Sequence, residues 1–183
     1  MSHITTLEMK LDATSSIKKV IDQASSHVDL LGQPSEFAEA TQQGKQFSFL
    51  ERSEDVRELV LESLEKTFRR LAEQFAYEFK PNSDKQAEIL GVLKNDIFPQ
   101  GVVVALTTDN ELRFIDARGA IDSDRRQQGE QNKFDYVCNR IRTAWTIELL
   151  TIVYKINGYS AEISFEPSKN GINDRYDLEF LKV

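Results

Sequence analysis

A single cysteine, Cys138, leaves no partner for an internal disulfide, which excludes a secreted disulfide scaffold. Two histidines, His3 and His27, are too few and too isolated for an all-protein zinc centre or an evident His-based triad. Four Pro and eight Gly rule out a collagen-like or low-complexity chain. No apolar run approaches the roughly 20 residues that span a bilayer. The opening Met1-Ser2-His3-Ile4-Thr5-Thr6 lacks the basic and apolar regions of a signal peptide, so a soluble cytoplasmic protein is expected. Neither G-x-G-x-x-G nor a glycine-rich loop ending in Lys is present, which removes two common ways of cradling phosphate. No cofactor and no metal are expected. Positive charge is also short: 23 Lys and Arg against 30 Asp and Glu give a net charge of −7 and a pI near 5.0. Neither half of the chain has the basic excess of a dominant nucleic-acid surface.

What is present suffices for a core. Hydrophobic residues make up 40% of 183 positions, with eleven Phe and five Tyr among them, so one α+β domain over residues 1–183 is expected, with a loop or extension at 28–45. Leu7, Met9 and Leu11 alternate with Glu8 and Lys10 as a strand does. Asp12, Thr14 and Ser15 offer caps for a helix whose Ile17, Val20, Ile21 and Ala24 share a face. A short helix near Glu36–Thr41 and a short strand at Gln46–Leu50 follow. From Glu54 to Phe79, the residues Val56, Val60, Leu64, Phe68, Leu71, Phe75 and Phe79 recur at three and four, predicting one long helix capped by Ser53 and stopped by Pro81. Glu62 with Lys66 and Glu65 with Arg69 form i,i+4 pairs on its far side, each worth about 0.3–0.5 kcal/mol.

The spacing then predicts a shorter helix over Asp84–Ile97, weakened by Gly91. Val102–Leu106 and the segment from Leu112 to Asp116 form a hairpin about Asp109-Asn110, and Arg118–Gln131 is a polar loop. A second long helix covers Lys133–Val153 with Phe134, Val137, Cys138, Ile141, Trp145, Leu149 and Ile152 on one side, ended by Asn157-Gly158. Two alternating strands, with Ala161, Ile163 and Phe165 on one and Tyr176, Leu178 and Phe180 on the other, close an antiparallel hairpin. The pattern predicts an antiparallel sheet of hairpins with two long amphipathic helices packed on one face.

Three segments bear on chemistry. Arg113, Arg118, Arg125, Arg126, Arg140 and Arg142, with Lys133, crowd one stretch and outnumber the acids among them. They are the candidate binding residues for an acidic partner, a phosphate or single-stranded nucleic acid; the alternative is ordinary ion pairing on a solvated loop. Asp122-Ser123-Asp124 with Gly129 resembles a calcium loop but places Lys133 where the bidentate Glu belongs. Asp116, Asp122 and Asp124 are candidates for a carboxylate pair. Glu148 falls on the apolar stripe beside Trp145, so it must either pair with a cation at the core edge or act as a buried acid. Cys138 on the same stripe reads as a small hydrophobe.

The two ends carry a family pattern: Met1-Ser2-His3, the alternating Ile4, Leu7, Met9 and Leu11 with Asp12, a helix holding Ile17 and Val20, and a helix leading into Gly158-Tyr159 before the closing strands. In these the chain resembles a small family of uncharacterised proteins encoded in cyanobacterial and red-algal plastid genomes. That resemblance implies a non-enzymatic accessory protein of the cytoplasm or stroma. The residues themselves point first to a non-catalytic interaction protein, an adaptor, accessory subunit or chaperone-like binder with a protein partner. The alternatives are a binder of nucleotide or single-stranded nucleic acid through residues 113–142, and a hydrolase using Asp116, Asp122, Asp124 or Glu148. An anionic ligand and a homo-oligomer stay open, and no membrane association is expected.

Overall fold

The computed structural model describes residues 4–30, 52–84, 88–156, 158–166 and 175–182. The elements are β1 (Ile4–Thr5), β2 (Glu8–Asp12), α1 (Ala13–Leu30), α2 (Ser53–Phe75), β3 (Glu78–Pro81), β4 (Ile89–Lys94), β5 (Val102–Leu106), β6 (Glu111–Asp116), β7 (Ile121–Asp122), a 3-10 turn (Ser123–Arg125), α3 (Glu130–Ile156), β8 (Tyr159–Glu166) and β9 (Arg175–Lys182). The fold is α+β. Five strands form an antiparallel sheet in the order β2-β6-β5-β4-β3, and β1-β7 and β8-β9 form separate two-stranded antiparallel pairs.

Period-two alternation gives the large sheet one buried face. The register aligns Met9, Phe114 and Val104 in one row, and Leu11, Leu112 and Leu106 in the next. Leu112, Phe114, Val104 and Leu106 are fully buried and join the buried residues of α1, α2 and α3 in one core. Asp12 caps α1: its carboxylate accepts from the Ser15 amide at 3.0 Å and the Ser15 hydroxyl at 2.8 Å. The Ser15 amide also holds the Asp12 carboxyl below its ordinary range. Ile17, Val20, Ile21 and Ala24 are buried as their spacing requires. The helix runs through Leu30, into the segment expected to begin a loop at 28; the rest of 28–45, Glu36–Thr41 and Gln46–Leu50 lie outside the described residues.

The long central helix is shorter than its stripe. It ends at Phe75, Ala76 turns left-handed at φ 53°, and the Tyr77 amide donates back to the Leu71 carbonyl at 3.3 Å. Phe79 falls at helical spacing by coincidence. It returns on β3 and stacks on Phe68, with ring centroids 4.0 Å apart. Ser53 is the first helical residue rather than the cap, which is Arg52; the Ser53 carbonyl and hydroxyl instead accept from the Asn110 amide at 3.0 and 3.1 Å.

The helix expected over Asp84–Ile97 is not formed: Ile89–Lys94 is strand β4, with residues 85–87 outside the description. Leu90, Leu93 and Ile97 mimic a helical period, but Gly91 fits only the strand. A Cβ there would run into the Lys80 carbonyl and the Phe79 ring. The Val102–Leu106 and 112–116 strands pair about Asn110, which takes the left-handed conformation at φ 60°. β6 also pairs with β2, and β1 with β7, so the sheets hold long-range pairings besides hairpins.

The segment 118–131, expected as a loop, contains β7 and the 3-10 turn, and its end begins α3 at Glu130. The predicted stripe of α3 is buried throughout, and Ile147, Val153 and Tyr154 close its second half on further sides. α3 packs against α1, α2 and β8. Between α2 and α3 the Trp145 indole donates to the Ser63 hydroxyl at 2.7 Å, and that hydroxyl donates to the Val60 carbonyl at 2.9 Å. The closing hairpin sets Tyr159, Ala161, Ile163 and Phe165 toward the helices: Phe165 meets Phe75 edge-on at 4.9 Å, and Phe180 stacks on Tyr154 at 3.6 Å.

Candidate functional site

The candidate arginines do not converge on one surface. Arg113 lies on the outer face of β6, opposite in direction to Asp116, and donates to Glu8 at 2.6 Å. Arg118 makes two forked ion pairs. It donates to both Asp116 oxygens at 3.1 and 2.8 Å and to both Glu130 oxygens at 3.0 and 2.9 Å. Arg126 reaches Asp116 at 3.5 Å and the Thr5 carbonyl at 2.6 Å, and so ties β1 to the segment after β7. Arg140 lies over the rings of Phe75 and Tyr136, 3.8 and 4.8 Å from their centroids. Arg125 and Arg142 are exposed.

Arg118, Arg126, Asp116 and Glu130 are therefore one ionic cluster in which planar guanidinium forks meet buried carboxylates. Hydrogen bonds and charge from the two carboxylates raise the Arg118 pKa, and the Arg118 hydrogen bond holds the Glu130 carboxyl below its ordinary range. The sign of the pH dependence follows. A carboxyl whose folded pKa is depressed adds stability that is complete above its unfolded value, about 4.3, and is lost as pH falls through the folded value. Stability measured by urea titration is expected to fall more steeply below about pH 4.3 in the native chain than in Glu130→Gln. Identical profiles would mean the pair is not formed in solution. Of the acids proposed for catalysis, Asp116 belongs to this cluster, Asp122 accepts from the Asp124 amide at 3.1 Å, and Asp124 is exposed.

Glu148 is buried on the α3 stripe, and Arg70 of α2 donates to its Oε1 at 2.6 Å through Nε. The side chains are 7% and 18% exposed, so this is a core-edge ion pair. Cys138 is fully buried and desolvation pushes its thiol well above the usual range, as a small hydrophobe requires.

An apolar groove of about 380 Å³ lies between α2 and the β3–β4 hairpin. Leu64, Phe68 and Phe79 form its floor; Leu61, Ala72 and Leu90 form its walls; Glu65 and Arg69, paired at 3.2 Å, stand at its rim. Two local features build it. The register on β4 shifts between Ile89 and Gly91 while β5 advances one residue, and Leu90 is the extra residue of this bulge. A bulge re-aims the side chain it carries, here into the groove. Leu61 sits among Glu58, Glu62 and Glu65 on the charged side of α2 and is 36% exposed. The stripe of α2 does not single out Leu61 or Ala72, and the pattern of β4 does not single out Leu90. The signal in the sequence is a large aliphatic residue off the stripe and amid acids, a pattern that Leu61 shares with Leu59, which packs against the core. A second hollow of about 530 Å³ lies where α3 meets β8, and Lys155 is the charged residue among those lining it.

No protein-family model, curated protein or solved structure matches this chain.

Proposed function

We propose that this chain is a non-catalytic interaction protein, an adaptor, accessory subunit or chaperone-like binder, that docks a partner protein in the groove between α2 and the β3–β4 hairpin. The observation that carries this reading is Leu61, a large aliphatic side chain left 36% exposed beside a floor whose Leu64 and Phe68 are buried. An apolar hollow rimmed by charge is the usual form of a site for a partner's anchor side chain. The arginine stretch supports a nucleic-acid reading less, because Arg113, Arg118 and Arg126 already hold carboxylate partners. Among the described residues no helix is long and apolar enough to cross a membrane; a cytoplasmic location is part of the proposal, and the resemblance to the plastid-encoded family agrees with an accessory role.

Leu61→Arg tests it. An exposed substitution of this kind changes stability by about 0.5 kcal/mol or less, so the variant is expected to keep the native circular dichroism spectrum. Affinity purification from the native host with both proteins is expected to retain a partner on the native chain and to reduce it about tenfold, or 1.4 kcal/mol, on the variant. Equal retention by a folded Leu61→Arg chain would remove the groove from the interface.

A further inference from the structure

We propose that the groove is filled by a second copy of this chain, the two α2 helices lying antiparallel about a two-fold axis between Glu65 and Arg69. This rests on the groove being a protein-docking surface and adds what docks there.

The exposed residues Leu61, Glu65, Arg69 and Ala72 recur at three and four, so they run along one side of α2. Reversing the helix sets Leu61 against Ala72 and Glu65 against Arg69. The midpoints of these two pairs differ by half a residue, under about 1 Å along an axis that rises 1.5 Å per residue, so one two-fold axis serves both. At each end a large side chain then faces a small one, and at the centre each carboxylate faces a guanidinium. A parallel pairing would instead set Leu61 on Leu61, Ala72 on Ala72, Glu65 on Glu65 and Arg69 on Arg69. Only the antiparallel arrangement joins unlike with unlike. The same surface supplies both members of every pair, which is the property of an isologous interface.

The charges favour this occupant further. Glu65 and Arg69 already form a pair within one helix at 3.2 Å, with both side chains mostly exposed. A second copy gives each of the four groups a second opposite neighbour and leaves none alone. The groove, about 380 Å³ and walled by Ala72 at one end, has room for the incoming Leu61 side chain.

Light scattering after size exclusion of the full chain tests the pairing. At about 100 µM the native chain is expected at twice 21.0 kDa, with a concentration-dependent return toward the monomer on dilution. Leu61→Arg is expected to be monomeric. Glu65→Arg alone and Arg69→Glu alone place like charges across the axis and are each expected to weaken the dimer about tenfold or more. Mixing those two single variants pairs every Arg with a Glu, and the mixture is expected to dimerise again, as is the double variant Glu65→Arg/Arg69→Glu. Circular dichroism establishes that each variant is folded. A native chain that stays monomeric at about 100 µM, a dimer indifferent to Leu61→Arg, or a mixture that fails to recover overturns the pairing. If the native chain is monomeric while Leu61→Arg still releases a host partner, the second copy is refuted and the docking groove survives.

Discussion

Glu148→Ala is expected to cost about 3–5 kcal/mol, because it strands the Arg70 guanidinium against a largely buried helix interface with no counter-charge. Glu148→Gln keeps an acceptor for the Arg70 Nε–H and is expected to lose less, about 1.5–3 kcal/mol. The geometry sets this order: Oε1 lies 2.6 Å from Nε and the carboxylate side chain is 7% exposed. Replacing both partners, Arg70→Met with Glu148→Leu, removes the stranded charge together with its mate and is expected to be better tolerated than Glu148→Ala. Urea unfolding followed by the fluorescence of Trp145, which is buried at the same helix interface, measures all three. If Ala and Gln both leave the midpoint unchanged, Glu148 is not buried against Arg70.

The second large effect is expected from Phe68→Ala, at about 3–5 kcal/mol. Phe68 is 7% exposed, stacks on Phe79, and joins α2 to the edge strand β3. Truncation removes the ring and leaves a cavity beside Phe79, because β3 is held in place by its pairing with β4 and the site can collapse only in part. A cost below about 1 kcal/mol would mean that the hairpin does not pack on α2. The size of the expected loss is also why Phe68, although on the groove floor, cannot serve as the probe of docking. Leu61 can, because its side chain is not part of the buried core.

The long helices were legible because three-and-four spacing sustained over several turns matches the helical period and no strand period. Their ends were not. Phe79 continues the stripe of α2 arithmetically, and nothing in the pattern marks Ala76 as the residue that turns left-handed; Gly would have marked it. The misread Asp84–Ile97 shows the opposite failure. In a short apolar run both periods fit, and the deciding fact, that Gly91 lies where no Cβ fits against Lys80 and Phe79, belongs to a neighbouring strand. The pairing of β2 with β6 joins residues distant in sequence, as in Glu8 with Ile115, and local spacing carries no record of it.

The arginine stretch was legible as composition and misleading as a surface. Sequence proximity placed Arg113 and Arg118 together, whereas strand alternation sends Arg113 outward with Glu8 and Asp116 inward to receive Arg118 and Arg126. Glu148 was readable as an anomaly, and its partner Arg70 was not, since the pair spans two helices distant in sequence. The groove needed the bulge at Leu90 and the exposure of Leu61 together. Only the second left a trace in the sequence.

Site-specific photo-crosslinking reveals whether a polypeptide docks against α2 beside Leu61. A benzophenone amino acid placed at Leu61, and separately at Arg142 on the exposed side of α3, is irradiated in native host extract. A discrete crosslinked polypeptide, whether a second copy or a host protein, is expected from position 61 and none from position 142. Crosslinking from 142 with none from 61 would contradict docking beside Leu61 and place the interface on the exposed side of α3.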